Sequence, residues 1–452
     1  MNYYELFYDG RYDELVAATF PLLDTDKDAE RAFLRLFLTK HSVVLLDYDK
    51  TIAMLMKHAE QGNRYAQYAY ARWQCLDCSG ENSLWISYRN MKAAADQGLP
   101  DAIAGLAVTY EYGDIGQVDW EKADEMLQRA ANEGSELAYV YKFKEYCFGK
   151  CYRDAQPEKA VELADKLLAE SEQQDIEPNG LWYYYRAAGN EPRLGRTHVI
   201  NDYKRALELG VISAYFDLAV AYGYGDEITK LTETPEFNEY ILQGEVHRSA
   251  DAFYMDAVRE MHRYDILEQE YRERGIEADK IPYNVLDASH EYIHSRMTHA
   301  AMLADISAWE QLGDMYADGT YGFERDNEKA FTCYSNGVIH NSPTCAEKLW
   351  KMMHKHIIDR DLDYQDGIAI MGARWGSKFL LAETVIAAQE GRLTEYADEI
   401  AKYYEPIFDA PEFTLEDDED WQTTIDDMLR DDDYDYPDDS LSDNDSKWDA
   451  WA

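Results

Sequence analysis

One spacing recurs along this chain and restricts its fold more than any other feature: Gly, three residues, Ala, seven residues, Tyr, two residues, Gly. It falls at Gly98, Ala102, Tyr110 and Gly113, at Gly134, Ala138, Tyr146 and Gly149, and at Gly210, Ala214, Tyr222 and Gly225. A further copy keeps Ala308, Tyr316 and Gly319 but has Ala304 in the first position. The interval between the second and third copies leaves room for a degenerate one near 171–209. Self-similarity at a fixed period of this length marks a helical-repeat array. In each unit the first glycine ends the preceding helix by turning left-handed. The alanine lets a facing helix approach closely, and the Tyr and second Gly close the first helix. An acidic N-cap opens the second helix, Asp119 before Trp120-Glu121-Lys122-Ala123 and Asp326 before Asn327-Glu328-Lys329-Ala330. Ala123, Met126, Leu127 and Ala130 then share one helical face. One such pair cannot bury its apolar face alone, so neighbours must stack.

The frame, with Lys-Ala in the second helix at Lys122-Ala123, Lys159-Ala160 and Lys329-Ala330 and a one-residue variant at Lys204-Arg205-Ala206, resembles the Sel1-like repeat, a relative of the tetratricopeptide repeat. The resemblance is good over 58–225 and 304–340. It is weaker at Gly62-Ala66, where Gln74 takes the Tyr position, and weakest at Gly376, Leu380, Ala388 and Gly391, which read as a terminal capping repeat. It implies an all-α fold, a right-handed α-solenoid of helix–turn–helix repeats with helical caps. It also implies a non-enzymatic adaptor that binds proteins or peptides on a concave surface. The expected divisions are an N-terminal helical cap of two or three helices over 1–57, packed on the first repeat, and repeats over 58–225. A helical insertion follows over 226–303, read as a lengthened second helix plus a loop. One repeat with degenerate capping repeats occupies 304–408, and a disordered acidic tail 409–452.

Charge narrows the partners. The 452 residues carry 89 acidic against 44 basic side chains, a formal charge of −45. Nucleic-acid binding needs clustered Lys and Arg on phosphates, and an anionic membrane leaflet needs the same, so both are excluded as partners. A basic protein partner suits this surface, steered electrostatically and weakened by salt. A specific form is an immunity-type or inhibitor protein that captures a cationic target. The tail holds 18 acidic residues against Arg430 and Lys447, a composition that predicts disorder. Within it Trp421, Ile425, Met428 and Leu429 fall at helical spacing and are the candidate partner-binding residues, able to fold on a basic partner or on the solenoid's own groove. The opening MNYYELFYDGRYDEL lacks the charged and apolar regions of a signal peptide, no apolar run approaches membrane-spanning length, and six cysteines suit reduced thiols. These features predict a cytoplasmic protein; oligomeric state is left open.

Candidate chemistry is sparse. His290-Glu291-Tyr292-Ile293-His294 is a formal H-E-x-x-H, which on a helix places two imidazoles on one face toward zinc with Glu polarising a water. Arg296 follows, and no third ligand is set by the spacing, so an ordinary helix is favoured over the alternative, a zinc metallopeptidase. Cys75, Cys78, Cys147 and Cys151 sit nearly two repeats apart and do not make a convincing zinc site. His354-Lys355-His356 reads as a cluster capping helix carbonyls, and Trp182-Tyr183-Tyr184-Tyr185 as core. No Gly-rich phosphate loop and no Gly-x-Ser-x-Gly elbow is present. The expectation is no catalytic residue, no metal and no cofactor, with a structural scaffold bearing a solubilising tail as the remaining alternative.

Overall fold

A computed structural model describes residues 3–75, 83–116, 118–149, 152–224, 234–275 and 283–410. Every regular element among them is helical. The frame expected from the sequence is present, and the backbone shows it more completely than the residue types do. A left-handed residue recurs at Gly62, Gly98, Gly134, Asp175, Gly210, Arg248, Ala304, Asn341 and Gly376. At each one the next amide bonds back to a carbonyl of the helix just ended, as in Leu99 N to Ala94 O and Ser342 N to Gly337 O, the closure that satisfies a helix C-terminus. The residue after the left-handed one frequently caps the next helix. Asn63, Ser135, Ser249, Asp305, Ser342 and Ser377 accept from the amides of Ala66, Ala138, Ala252, Ala308, Cys345 and Leu380. Those six small or apolar residues, together with Ala102 and Ala214, have no exposed surface, because the facing helix lies directly on them.

The resulting helices pack in sequence order. Five N-terminal helices, α1 (Tyr3–Tyr8), α2 (Tyr12–Thr19), α3 (Lys27–Leu36), α4 (Lys40–Val44) and α5 (Ala53–Glu60), precede the pairs. The pairs are α6 (Arg64–Gln74) with α7 (Ser83–Asp96), α8 (Pro100–Tyr112) with α9 (Trp120–Asn132), and α10 (Glu136–Phe148) with α11 (Pro157–Gln173). Then come α12 (Gly180–Leu194) with α13 (Arg196–Glu208), α14 (Ala214–Tyr224) with α15 (Pro235–Val246), and α16 (Ala250–Glu273) with α17 (Tyr283–Met302). Last are α18 (Ile306–Asp318) with α19 (Asn327–Ile339), α20 (Pro343–His354) with α21 (Leu362–Arg374), and the single α22 (Lys378–Gln389). The Tyr and Lys of the frame meet within a repeat: Lys122 Nζ lies 3.6 Å from the Tyr110 ring centre, Lys329 5.3 Å from Tyr316 and Lys159 5.8 Å from Tyr146. The carbonyls of the same tyrosines accept from the amides of Asp119, Asp326 and Gln156, pinning each inter-helix loop.

Two expectations change. The long helix read within 226–303 as a lengthened second helix, α16, is a first helix, started by left-handed Arg248 and Ser249, with Ala252 in the buried small position, and the second helix paired with it is α17, itself long at 20 residues. The boundary was hidden because Arg248 stands where the frame has Gly. The N-terminal helices also form more short elements than the two or three expected, and they do more than cover the first repeat. Arg35, on α3, makes a bidentate pair with Glu136 at 2.8–2.9 Å and donates to the Glu177 carbonyl at 3.0 Å. On α1, Tyr8 donates to Glu177 at 3.2 Å, and the Phe7 and Tyr8 rings lie against Gly210. The cap therefore ties together repeats far apart in sequence.

The other end closes on the beginning. The short turns over 394–408 and α21 pack on the loop between α8 and α9. Arg374 donates to both Glu399 carboxylate oxygens at 2.9 and 2.8 Å and to the Gly113 and Gly116 carbonyls at 2.9 Å each. Glu399 also accepts from the Val118 amide at 3.3 Å and from Tyr404 at 2.7 Å. Around this pair Trp120 and Tyr403 rings meet at 4.4 Å, and Tyr152 donates to the Ala373 carbonyl at 2.6 Å. Val118, Ile370, Ala373, Leu381, Val385, Ile400 and Tyr404 form an apolar cluster beneath. The solenoid curls far enough for its last turns to seal against its second helix pair.

Candidate functional site

Closure leaves a cavity of about 1170 Å³ inside the curl, above the roughly 300–1,000 Å³ of ordinary small-molecule sites. Its walls come from the α3–α4 junction, the helices α6, α7, α8 and α10, the α8–α9 loop, the α19–α20 turn, α21 and the turn at 395–396. Exposed apolar side chains are part of the lining, Leu84, Ile339 and Trp85, of which Trp85 also borders a separate shallow hollow with Tyr88, Arg89 and Lys92. On one wall stand Lys40, Arg72 and Lys144. Arg72 is fixed by Nε donating to the Phe37 carbonyl at 3.0 Å and Nη1 donating to the Tyr141 hydroxyl at 3.1 Å. Lys144 lies one turn along α10 from Tyr141, so both share a face. Desolvation by the surrounding helices lowers the pKa of the Lys144 ammonium, although its side chain remains exposed, and the charges that add to this are the two cations Lys40 and Arg72. Burial, with Lys40 adding to it, lowers His340 to about 4. Carboxylates line the same cavity, Glu111, Asp114, Glu145 and Glu395: desolvation raises Asp114 to about 6 against the pull of Arg374, and Glu145 is engaged by Arg153 at 3.2 Å.

A second hollow of about 770 Å³ continues along the inner face, lined by Cys147, Phe148, Tyr184, Glu191, Asp217 and Asp251 among others. Its lining holds more carboxyls than cations, Glu191, Asp217 and Asp251 against Arg196. Burial raises Asp217 to about 8, with Asp251 and Glu191 adding to it, and raises Asp251 to about 7, with Asp305 adding. Phe148 is 66 % exposed there.

The sequence-derived candidates are distributed otherwise. Trp421, Ile425, Met428 and Leu429 lie outside the described residues, as do Cys78 and Cys151. His290, Glu291 and His294 are on α17, and the two imidazoles are packed against rings, His290 at 5.0 Å from Tyr264 and His294 at 5.0 Å from Phe323. Burial, then Lys329, lowers the His294 pKa. Among the described residues no three His, Cys, Asp or Glu side chains gather in a way that could hold a metal ion. The Cys147 thiol is pushed up to about 12 by burial, which makes it unreactive. His354 stacks on Trp350 at 4.5 Å, a ring contact in place of the expected carbonyl cap. Trp182 and Tyr185 are core residues as expected. No helix among the described residues is long and apolar enough to cross a membrane. The cavity itself was not foreseen. Lys40, Arg72 and Lys144 belong to three separate elements, and no spacing links them.

No family profile and no curated protein matches the chain. Among solved structures, a Sel1 repeat protein from Oxalobacter formigenes aligns at 16% identity and a TM-score of 0.30, over 73% of this chain and 87% of that one. A protective antigen present in uropathogenic Escherichia coli strains, described as displaying an SLR fold, aligns at 17% identity and a TM-score of 0.31, over 84% of this chain and 75% of that one. A likeness at that level carries no functional argument. The repeat architecture rests on the left-handed residues, buried small residues and Tyr–Lys contacts of this chain.

Proposed function

We propose that this chain is a non-enzymatic protein-binding adaptor that receives a segment of its partner inside the closed solenoid. The observation that carries the reading is the inner surface, a cavity of about 1170 Å³ on which Leu84, Trp85 and Ile339 stay exposed. Exposed aromatic and aliphatic anchors in a concave, preformed site are what protein recognition uses. The chain's charge of −45 favours a basic partner as the finer reading, in the manner of an immunity-type or inhibitor protein. Charge would accelerate encounter and the cavity would hold the complex.

The test is capture from native lysate by the full chain, by Trp85→Asp and by Ile339→Asp, at low and high salt, with helicity checked by circular dichroism. The reading expects a basic protein bound by the full chain at low salt, weakened at high salt, and lost from both variants at unchanged helicity. Capture that ignores both substitutions would overturn the inner surface as the site. An acidic partner held independently of salt would overturn the basic-partner reading.

A further inference from the structure

The second hollow, of about 770 Å³, is lined by rings and carboxyls together. Phe148 at the end of α10, Tyr184 on α12 and Phe216 on α14 supply aromatic surface, and none of the three is fully buried. The charged groups of the lining are not equivalent. Arg196 is engaged within the wall: its Nε donates to Glu191 Oε1 at 2.8 Å, and Glu191 Oε2 accepts from the Tyr203 hydroxyl at 3.0 Å. Asp251, in the first turn of α16, holds its proton toward Asp305, the N-cap of α18. Asp217, in the first turn of α14, is the carboxyl left over. Its Oδ2 is buried and accepts no hydrogen bond among the described residues.

The groups around Asp217 explain why it stays uncharged at neutral pH. The charges that act on it most are Asp251 and Glu191, both acidic, and the Tyr184 hydroxyl favours its ionised form without outweighing burial. Arg196 is matched by Glu191, Lys40 acts on Asp305, and the Cys147 thiol is neutral. A buried carboxyl without a cation keeps its proton and releases it to a cation brought beside it. Aromatic faces attract the same kind of group. Arginine suits both at once, because its planar guanidinium pairs with a carboxylate and lies flat on a ring, while its alkyl stem covers apolar surface.

We propose that this hollow is a binding site for an arginine side chain presented by a basic partner, with Asp217 as the counter-ion and Phe148, Tyr184 and Phe216 as the walls. The source of the arginine rests on the basic-partner reading, whereas the site is tested without any partner. Entry of the guanidinium ionises Asp217, so binding releases a proton and strengthens as pH rises. Attraction to the chain's outer carboxylates releases no proton near neutral pH and answers to salt alone.

The experiment is calorimetric titration of the full chain with the peptide acetyl-Gly-Arg-Gly-amide at about pH 6 and about pH 8, in buffers of different ionisation enthalpy. The same peptide with citrulline in place of arginine is the neutral control. The expected result is binding at one site with release of a proton, an affinity at least about tenfold higher at the upper pH, and none for the citrulline peptide. Asp217→Asn keeps the shape of the protonated acid and should abolish binding at unchanged helicity. Phe148→Ala alters an exposed ring and should weaken binding severalfold. No binding of the arginine peptide at millimolar concentration, equal binding of the citrulline peptide, an affinity independent of pH, or full binding by Asp217→Asn would overturn the proposal. Tighter binding of putrescine than of the arginine peptide would assign the hollow to a free diamine and overturn it too. Failure here with capture still lost in Trp85→Asp and Ile339→Asp would leave the adaptor reading standing. Binding here with capture indifferent to those two substitutions would remove the central cavity from that reading and leave this site.

Discussion

The repeat frame and the closing seam hold the same solenoid together by different means. In the frame, one small set of contacts is copied along the chain: a left-handed residue, a capped helix start, a fully buried small residue, a Lys over a Tyr. Each copy is worth little, and the sum sets the curvature. In the seam, Arg374 and Glu399 meet once, with side chains 9 % and 0 % exposed, and a charge pair that deep is costly to break from one side. Periodic contacts build the curl, whereas one set of non-periodic contacts, centred on Arg374 and Glu399, holds it shut around the cavity.

The largest expected effect therefore belongs to the seam. Arg374→Ala leaves Glu399 buried without its partner and should cost about 3–5 kcal/mol in denaturant unfolding. Arg374→Met with Glu399→Leu should recover much of that, which separates the lone buried charge from the loss of packing. Within the frame, Ala138→Leu forces extra volume between helices and should cost about 1–3 kcal/mol. The disguised boundary is tested in the opposite direction. Ala304 holds a left-handed φ of 65°, so Ala304→Gly should stabilise by about 1 kcal/mol, whereas Gly134→Ala should destabilise by a similar amount. Smaller still, Lys122→Met removes the cation over Tyr110 and should cost about 0.5–1 kcal/mol.

A slope in pH tests the buried carboxyls separately. Asp217 and Asp251 have folded pKa values of about 8 and about 7, above the roughly 3.9 of an unfolded Asp. The folded state thus binds more protons between those limits, and stability falls as pH rises from about 4 to 8. Thermal unfolding of the full chain should show that fall, and Asp217→Asn should flatten it.

How far the sequence reveals the molecule follows the same division. Gly98, Gly134 and Gly210 expose the period because glycine takes a left-handed φ without strain. The steps at Asp175, Arg248, Ala304 and Asn341 take the same backbone turn with other residues, so pattern matching loses the frame there although the fold does not. That is why α16 looked like a lengthened second helix. Asp119 and Asp326 were legible as caps because capping is a local rule. Arg374 with Glu399, Arg35 with Glu136, and the meeting of Lys40, Arg72 and Lys144 are not local, and one sequence holds no periodic trace of them. His290 and His294 show the converse: their spacing suits a metal, and their environment is aromatic packing.

The solenoid closes at 113–120 around its cavity. Amide hydrogen exchange over that loop tests it most directly, because the Val118 amide is bonded to Glu399 and the Trp120 amide to the Tyr403 hydroxyl, both at 3.3 Å. In the full chain these amides should exchange slowly and become fast in Arg374→Ala while α10 stays protected. Fast exchange over 113–120 in the unaltered chain would mean that the seam is open, and the closed cavity would go with it.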